Sequence, residues 1–373
     1  MSALFQPFSF TSARATVTLP NRIVIAPMCQ YQAVNGQATD WHLMHWANLL
    51  NGGAGLLTIE ATAVTPQGRI SPACLGLWDD ATEAALGRTL ARARALAPHV
   101  PVSIQLAHAG RKASSALPWQ GAQLLSPEQG GWPTVAPSAV PHLPQETPPS
   151  ALDDAGIAGI RQAFVDAAQR AQRLGIEVVE LHAAHGYLLH EFLSPLSNIR
   201  TDAYGGSLAN RMRMVLEVFS AMRAAFDGVL GIRISASDWA EGGWDLPSSV
   251  ALAQALKPLG CDFIHVSSGG LSHQQKIALG PNYQVPFAQT IRAESGLVTM
   301  AVGLITDALQ AETILQQGQA DLVALARAFL YNPRWGWHAA AALGGQVQAF
   351  PAYWRCLPRE AASVFSGAAV GQR

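Results

Sequence analysis

Eight short runs rich in Val, Ile and Leu recur along this chain, and they limit its fold more than any other feature. They are Arg22 to Ala26 (RIVIA), Gly55 to Ile59 (GLLTI), Pro101 to Leu106 (PVSIQL), Glu177 to Leu181 (EVVEL), Val229 to Ile234 (VLGIRI), Asp262 to Val266 (DFIHV), Leu297 to Val302 (LVTMAV) and Asp321 to Leu325 (DLVAL). Each is too continuously apolar for a half-exposed antiparallel strand and suits a parallel sheet covered on its outer face. Helical patterns lie between them, among them Ala81 to Leu96, Asp153 to Leu174, Asn210 to Phe226, Ser248 to Leu259, Pro286 to Glu294 and Asp307 to Gln317. Asp153 and Asp307 stand where N-cap acceptors belong, and Gly175 and Gly318 just past helix ends. The alternation predicts an α/β fold, a (β/α)8 TIM barrel spanning residues 1–373 as a single domain; a doubly wound sheet is the alternative.

Three segments exceed what barrel closure needs. Leu4 to Leu19 reads as an N-terminal capping segment. Ala113 to Ser150, rich in Pro, Gly and Gln, is a long loop after strand three of the kind that forms a lid or a binding wall. Gly344 to Arg373 is a C-terminal tail whose PAYWR (Pro351 to Arg355) is too aromatic for idle linker, and Ser366 to Arg373 is expected to be a disordered end.

The formal net charge is −1 with no basic block, which argues against nucleic acid and acidic membrane surfaces as partners. Neither a signal peptide nor a bilayer-spanning stretch is evident, so a cytoplasmic protein that meets small molecules and copies of itself is expected. The four scattered cysteines form no CxxC pair, which points away from a disulfide framework or a zinc or iron–sulfur site.

In this barrel type the chemistry sits at the C-terminal ends of the strands. The polar groups found there are Cys29 and Tyr31 after strand one, Glu60 after two, Gln105, His108, Arg111 and Lys112 after three, His182, His185 and Tyr187 after four, and Arg233 at five. Ser267 to Gly270 follow strand six, Gly303 follows seven, and Ala326 and Arg327 follow eight. A phosphate is expected between the last two loops, where Gly303 allows close backbone approach and Arg327 supplies charge; a plain turn and a surface charge is the other reading. His182 and His185, three apart, admit three readings. As zinc ligands they lack the HExxH signature and a third partner; as strand-end caps they do nothing chemical; as paired N–H donors they polarise a substrate carbonyl, with Tyr187 as the proton donor.

The stretch HGYLLHEFLSPLSNIRTDAYGGSLANR (His185 to Arg211) resembles the Old Yellow Enzyme family of FMN-dependent ene-reductases, and the resemblance covers residues 4 to 340. NRIVIAPMCQY (Asn21 to Tyr31), IQLAHAGRKA (Ile104 to Ala113) and AVGLIT (Ala301 to Thr306) are similar to its thermophilic-like, xenobiotic reductase-like subclass. The resemblance implies tightly bound, non-covalent FMN, reduced by NADPH or NADH, and hydride transfer to activated C=C bonds of α,β-unsaturated ketones, aldehydes and maleimides, with nitro compounds among the candidates. It implies backbone contacts to the flavin from Pro27, Met28 and Ala61, Gln105 on the pyrimidine edge, Arg233 on the N1 and O2 side, and Gly303, Ala326 and Arg327 on the phosphate. Glycine is usual in the family where Ala326 stands. Cys29 would tune the flavin, Tyr31 would line the substrate pocket, His182 and His185 would hold the substrate oxygen and Tyr187 would protonate the α-carbon. Lys112 matches a subclass motif, a solvated lysine being the other reading. In the tail, Trp354 and Arg355 would complete a neighbouring active site in a homodimer or homotetramer. Three rivals are a larger dienoyl-CoA reductase, which would need an iron–sulfur cysteine cluster, a dihydroorotate dehydrogenase, which would lack HAAHGY, and a barrel that binds flavin without turnover.

Overall fold

Period-two alternation inside each strand decides where the polar groups of this chain go. The computed structural model describes residues 2–11 and 14–368. Eight parallel strands close into a barrel: β1 (Ile23–Ile25), β2 (Leu56–Ala63), β3 (Val102–Ala107), β4 (Val178–Ala183), β5 (Val229–Ser235), β6 (Phe263–Ser267), β7 (Val298–Ala301) and β8 (Leu322–Leu325), with β8 paired back onto β1. The helices α1 (Asp40–Leu50), α2 (Asp80–Ala95), α3 (Asp154–Arg173), α4 (Leu208–Ala225), α5 (Leu246–Leu256), α6 (Val285–Ser295), α7 (Ala308–Gln316) and α8 (Trp335–Leu343) follow the strands in turn. Asp153 and Asp307 cap α3 and α7 by accepting from the backbone N–H of Gly156 at 2.7 Å and Gln310 at 2.9 Å. The (β/α)8 barrel expected from the sequence is therefore the fold.

Outward-facing strand residues such as Ile104, Leu106, Val179, Leu181, Leu230, Ile232, Ile264 and Val323 pack with helix side chains into one large apolar cluster. The inward set is different at its two ends. Near the strand N-termini it is apolar: Leu56, Val178, Val229, Phe263, Met300 and Leu322 form a second cluster. One or two inward positions further on it becomes Gln105, Glu180, Arg233 and His265, then His182, Ser235 and Ser267. This gradient gives the barrel a dry base and a polar upper layer.

An antiparallel hairpin, Phe8–Thr11 with Thr16–Leu19, closes the base. Phe10 and Leu19 join the inner cluster, with the Phe10 ring 5.5 Å from that of Phe263. The capping segment thus finishes the core by covering apolar strand starts that water would otherwise reach.

The loop from 113 to 150 is held against the barrel. Val135–Ala136 pairs with Ser150–Ala151, the Trp132 indole donates to Gln67 O at 2.9 Å, and Arg200 Nη1 donates to Pro137 O at 2.9 Å. In the tail, Val347 bridges to Phe365 and Ser366 N–H donates to Val347 O, so the beginning of the end expected to be disordered is paired; residues 369–373 lie outside the described residues. Among the described residues no helix is long and apolar enough to cross a membrane.

Phe10→Ala should open a void between hairpin and barrel and cost about 3–5 kcal/mol. A clear drop in melting temperature is the expected result; an unchanged one would mean that the hairpin does not seal the base.

Candidate active site

Four side chains on the inner face of β3 to β6 set the electrostatics of the barrel mouth. Gln105 Nε2 donates to Glu180 Oε1 at 2.7 Å, and His265 Nδ1 donates to Glu180 Oε2 at 2.8 Å. Arg233 lies in register between His182 on β4 and His265 on β6. Burial opposes the Glu180 charge, but His265, Arg233 and Gln105 together hold its carboxyl below the usual carboxylate value. His265, pushed down by burial, stays neutral and donates. Burial also lowers the Arg233 guanidinium while Glu180 supports it, and arginine remains a cation at neutral pH. Arg233 is 8 % exposed, and its Nε has no hydrogen-bond partner among the described residues. The site therefore offers a buried, partly unpaired cation. Glu180 and His265 carry no role in the sequence reading, although the alternation in EVVELHA places Glu180 on the same face as His182.

Strand β4 runs two residues past the expected end at Leu181, so His182 belongs to the strand and His185 to the turn after it. Ala184 N–H donates to His182 Nδ1 at 3.2 Å, which leaves the hydrogen of the neutral ring on Nε2. That Nε2 is 3.4 Å from His185 Nδ1, and His185 Nε2 is 2.7 Å from Ser267 Oγ. The two rings and Tyr187 form one group, with ring centroids 5.2 Å apart for the histidines and 4.9 Å apart for His182 and Tyr187. Burial, reinforced by the Arg233 charge, drives both histidines well below their ordinary values, so both are neutral donors rather than cations. Burial pushes the Tyr187 hydroxyl well above its ordinary value, so it keeps its proton.

Pro27, Met28 and Cys29 follow β1. Burial, then the nearby Glu60 carboxylate, pushes the Cys29 thiol well above its ordinary value, so it is a neutral thiol. Glu60 Oε2 accepts from Gln30 N–H at 2.9 Å, and His42 Nε2 is 3.4 Å from Glu60 Oε1. The sequence names Glu60 at the end of strand two but not its buried partner His42. Ala61 lies at the register shift in β2. Tyr31 and Tyr187 line one cavity of about 250 Å³, with Ile70, Lys112, Leu124 and His142 on its other walls.

A second cleft of about 350 Å³ is lined by Arg233, Ser267, Gln284, Gly303, Ala326 and Arg327. It thus unites the expected phosphate residues with the Arg233 cation. Gly303 has φ +115°, and a Cβ there would lie 2.3 Å from the Gln284 amide nitrogen, so only glycine leaves room at that point. Ala326 has φ −107°, outside the left-handed region that favours glycine, so a positive φ is not what glycine would serve there. The donor set fits a flavin mononucleotide: an unpaired buried guanidinium for an electron-rich ring edge, and a glycine-walled cleft with Arg327 for a phosphate.

The segment after Tyr187 holds the frame. Gly186 N–H donates to His190 Nδ1 at 2.9 Å, His190 Nε2 lies 2.8 Å from Asp238 Oδ1, and Ser194 Oγ donates to Asp238 Oδ2 at 2.6 Å. All three side chains are fully buried, so this serine, histidine and aspartate set serves as a brace and not as a nucleophile. Trp354 and Arg355 are absent from both cavities. The Trp354 indole donates to Ala349 O at 3.1 Å beside Trp337 and Val347, and Arg355 is exposed.

The model of the NADH:flavin oxidoreductase / NADH oxidase family matches residues 3–344. The chain is 45 % identical over 333 residues to an NADPH dehydrogenase of Halalkalibacterium halodurans, which covers 89 % of this chain and 93 % of that protein. It is 44 % identical over 355 residues to an NADPH dehydrogenase of a Geobacillus species, covering 94 % and 98 %. Among solved structures, morphinone reductase superimposes with a TM-score of 0.74 at 28 % identity, covering 99 % of this chain and 94 % of that one. The resemblance drawn from the sequence is thereby upheld, with its flavin and nicotinamide chemistry: the chain is an oxidoreductase and belongs to the NADH:flavin oxidoreductase / NADH oxidase family.

Proposed function

We propose that this oxidoreductase is an FMN-dependent ene-reductase that uses NADPH or NADH to saturate activated C=C bonds of α,β-unsaturated ketones, aldehydes and maleimides, and of nitro compounds. The observation that carries the reading is the group of His182, His185 and Tyr187, neutral donors clustered beside a buried, unpaired Arg233. Arg233, Gln105, Gly303, Ala326 and Arg327, with the backbone of Pro27, Met28 and Ala61, would hold FMN. When bound, FMN supplies storage of a hydride between the nicotinamide and the β-carbon of the acceptor.

In this mechanism His182 and His185 swing their N–H bonds from each other and from Ser267 onto the carbonyl or nitro oxygen of the substrate. A neutral imidazole suits the task, because it stabilises developing charge without first giving up a proton. Tyr187, protonated across the working range, delivers its proton to the α-carbon. Arg233 would set a fixed cation against the electron-rich edge of FMN, and Glu180 balances that cation within the fold. Cys29, as a neutral thiol, tunes the flavin by its dipole. Tyr31 walls the substrate cavity.

We also propose that residues 1–373 act as one domain in a cytoplasmic homodimer or homotetramer, with Trp354 or Arg355 reaching the neighbouring site. The support is their position: both lie away from their own cavities, and Arg355 is open to contact.

Purified protein should be yellow, and its oxidation of NADPH should accelerate on adding 2-cyclohexenone; a colourless preparation that takes up no FMN would sink the proposal. His182→Ala and His185→Ala should each weaken binding of a phenol about tenfold or more, the loss of one strong hydrogen bond, with FMN still bound. The pH dependence has a definite sign. Because both histidines are held below their usual value near 6.5, no step in kcat/KM belongs to them between about pH 6 and 7.5. A rise through that window, abolished in His185→Ala, would show that the histidine titrates and that the neutral-donor mechanism is wrong.

A further inference from the structure

Lys112 closes the short turn Gly110–Lys112 after β3, and the mechanism above makes no use of it. Its Nζ donates to two backbone carbonyls, His185 O and Gly270 O, each at 2.8 Å. These oxygens belong to the loops after β4 and β6 and point at one spot. Two carbonyl dipoles so arranged repel each other, and a cation between them turns the repulsion into two charge-assisted bonds.

The loops it joins are backbone against backbone. A Cβ on Gly186 would lie 2.3 Å from Gly270 O, and one on Gly270 would lie 2.6 Å from His185 Cα. His185 itself has φ +58°, followed by Gly186 at +74° and opposed by Gly270 at +91°. A non-glycine residue stays in that region only where its surroundings over-determine it. Around His185 they do: its N–H donates to Ser235 Oγ at 2.9 Å, its ring meets His182 and Ser267, and its carbonyl meets Lys112. Ser235 Oγ passes the His185 N–H on to Gly269 O of the β6 loop at 2.8 Å, and Lys112 adds a direct bridge from the loop after β3 that joins the His185 and Gly270 carbonyls through one charged atom. The ammonium also sits 5.3 Å from the centre of the Tyr187 ring. Burial pulls this lysine down to about 8, as expected of a cation enclosed by the fold.

We propose that Lys112 is a positioning residue for His185: by bridging the His185 and Gly270 carbonyls it fixes the left-handed turn that aims the imidazole, and it affects substrate through that ring. This inference rests on the reading of His185 as a donor to the substrate oxygen. Lys112 also lines the cavity that holds Tyr31 and Tyr187, so direct contact with substrate is the competing role.

A double-mutant cycle separates the two. The holoenzyme is titrated with 4-hydroxybenzaldehyde, followed by the change in flavin absorbance, in wild type, Lys112→Met, Lys112→Arg, His185→Ala and the Lys112→Met/His185→Ala pair. Lys112→Met should weaken binding about tenfold when His185 is present and less than about twofold when it is absent. Lys112→Arg, which keeps a cation with several donors, should recover most of the loss. Equal losses in both backgrounds, or no recovery with arginine, would overturn the proposal. Should Lys112→Met fail to retain FMN, Lys112→Gln replaces it in the same cycle under the same criteria. The His185→Ala arm alone reports on the underlying reading: wild-type affinity there removes the donor role and the proposal with it, whereas weakened binding with an additive Lys112 effect removes the proposal only.

Discussion

Everything at the mouth of this barrel depends on one buried charge arrangement, the Glu180 carboxylate bonded to Gln105 and His265 with the Arg233 cation close by. A lone guanidinium in that position would carry a desolvation penalty that nothing repays. Glu180 offsets it from below, and the two neutral donors spread the anion so that Arg233 is supported without being consumed by a salt bridge. The result is a cation that the fold tolerates and that still has capacity to bind. From it follow the depressed histidines, which sit in its field, and hence the choice of neutral donors over charged ones.

The apolar base makes this arrangement affordable. Inward residues are hydrophobic where the hairpin closes the barrel and polar only toward the open end, so ionisable groups cluster within reach of a ligand and away from the packed interior. The brace of His190, Asp238 and Ser194 then sets the height of the β4 turn relative to β5. Burial is total at the brace and partial at Tyr187, which separates the parts that hold the frame from a side chain that faces the cavity.

Much of this was legible in the sequence because its signals are local. Runs of Val, Ile and Leu mark strands buried on both faces, Asp153 and Asp307 mark helix starts, and HAAHGY lies at a strand end where few structural roles compete for two histidines. The alternative doubly wound sheet is ruled out by the pairing of β8 with β1, a contact between residues some 300 positions apart that no local pattern encodes. For the same reason His42 behind Glu60, and His265 beneath Glu180, escaped notice: each looks like an ordinary polar residue in its own helix or strand, and its meaning comes from a partner far along the chain. The alternation implies a helix after strand one without marking its bounds, because two tryptophans and two histidines blur the apolar face of α1. Ala326 is a smaller lesson of the same sort: the sign of its φ, negative here, is not readable from the sequence.

The bolting of the long loop after β3 has a consequence of its own. Arg200 and Ile199, which belong to the frame beside the β4 turn, are what grip it, through Pro137 O and Ser138 Oγ. One side of the entrance is therefore a fixed wall whose outline is written in residues that take no part in proton or hydride movement. Its outer part, from Leu117 to Gly131, lies ahead of these anchors and carries Pro118, Ala122 and Leu124 of the cavity wall, so the outline of the entrance can change in sequence while the anchors stay.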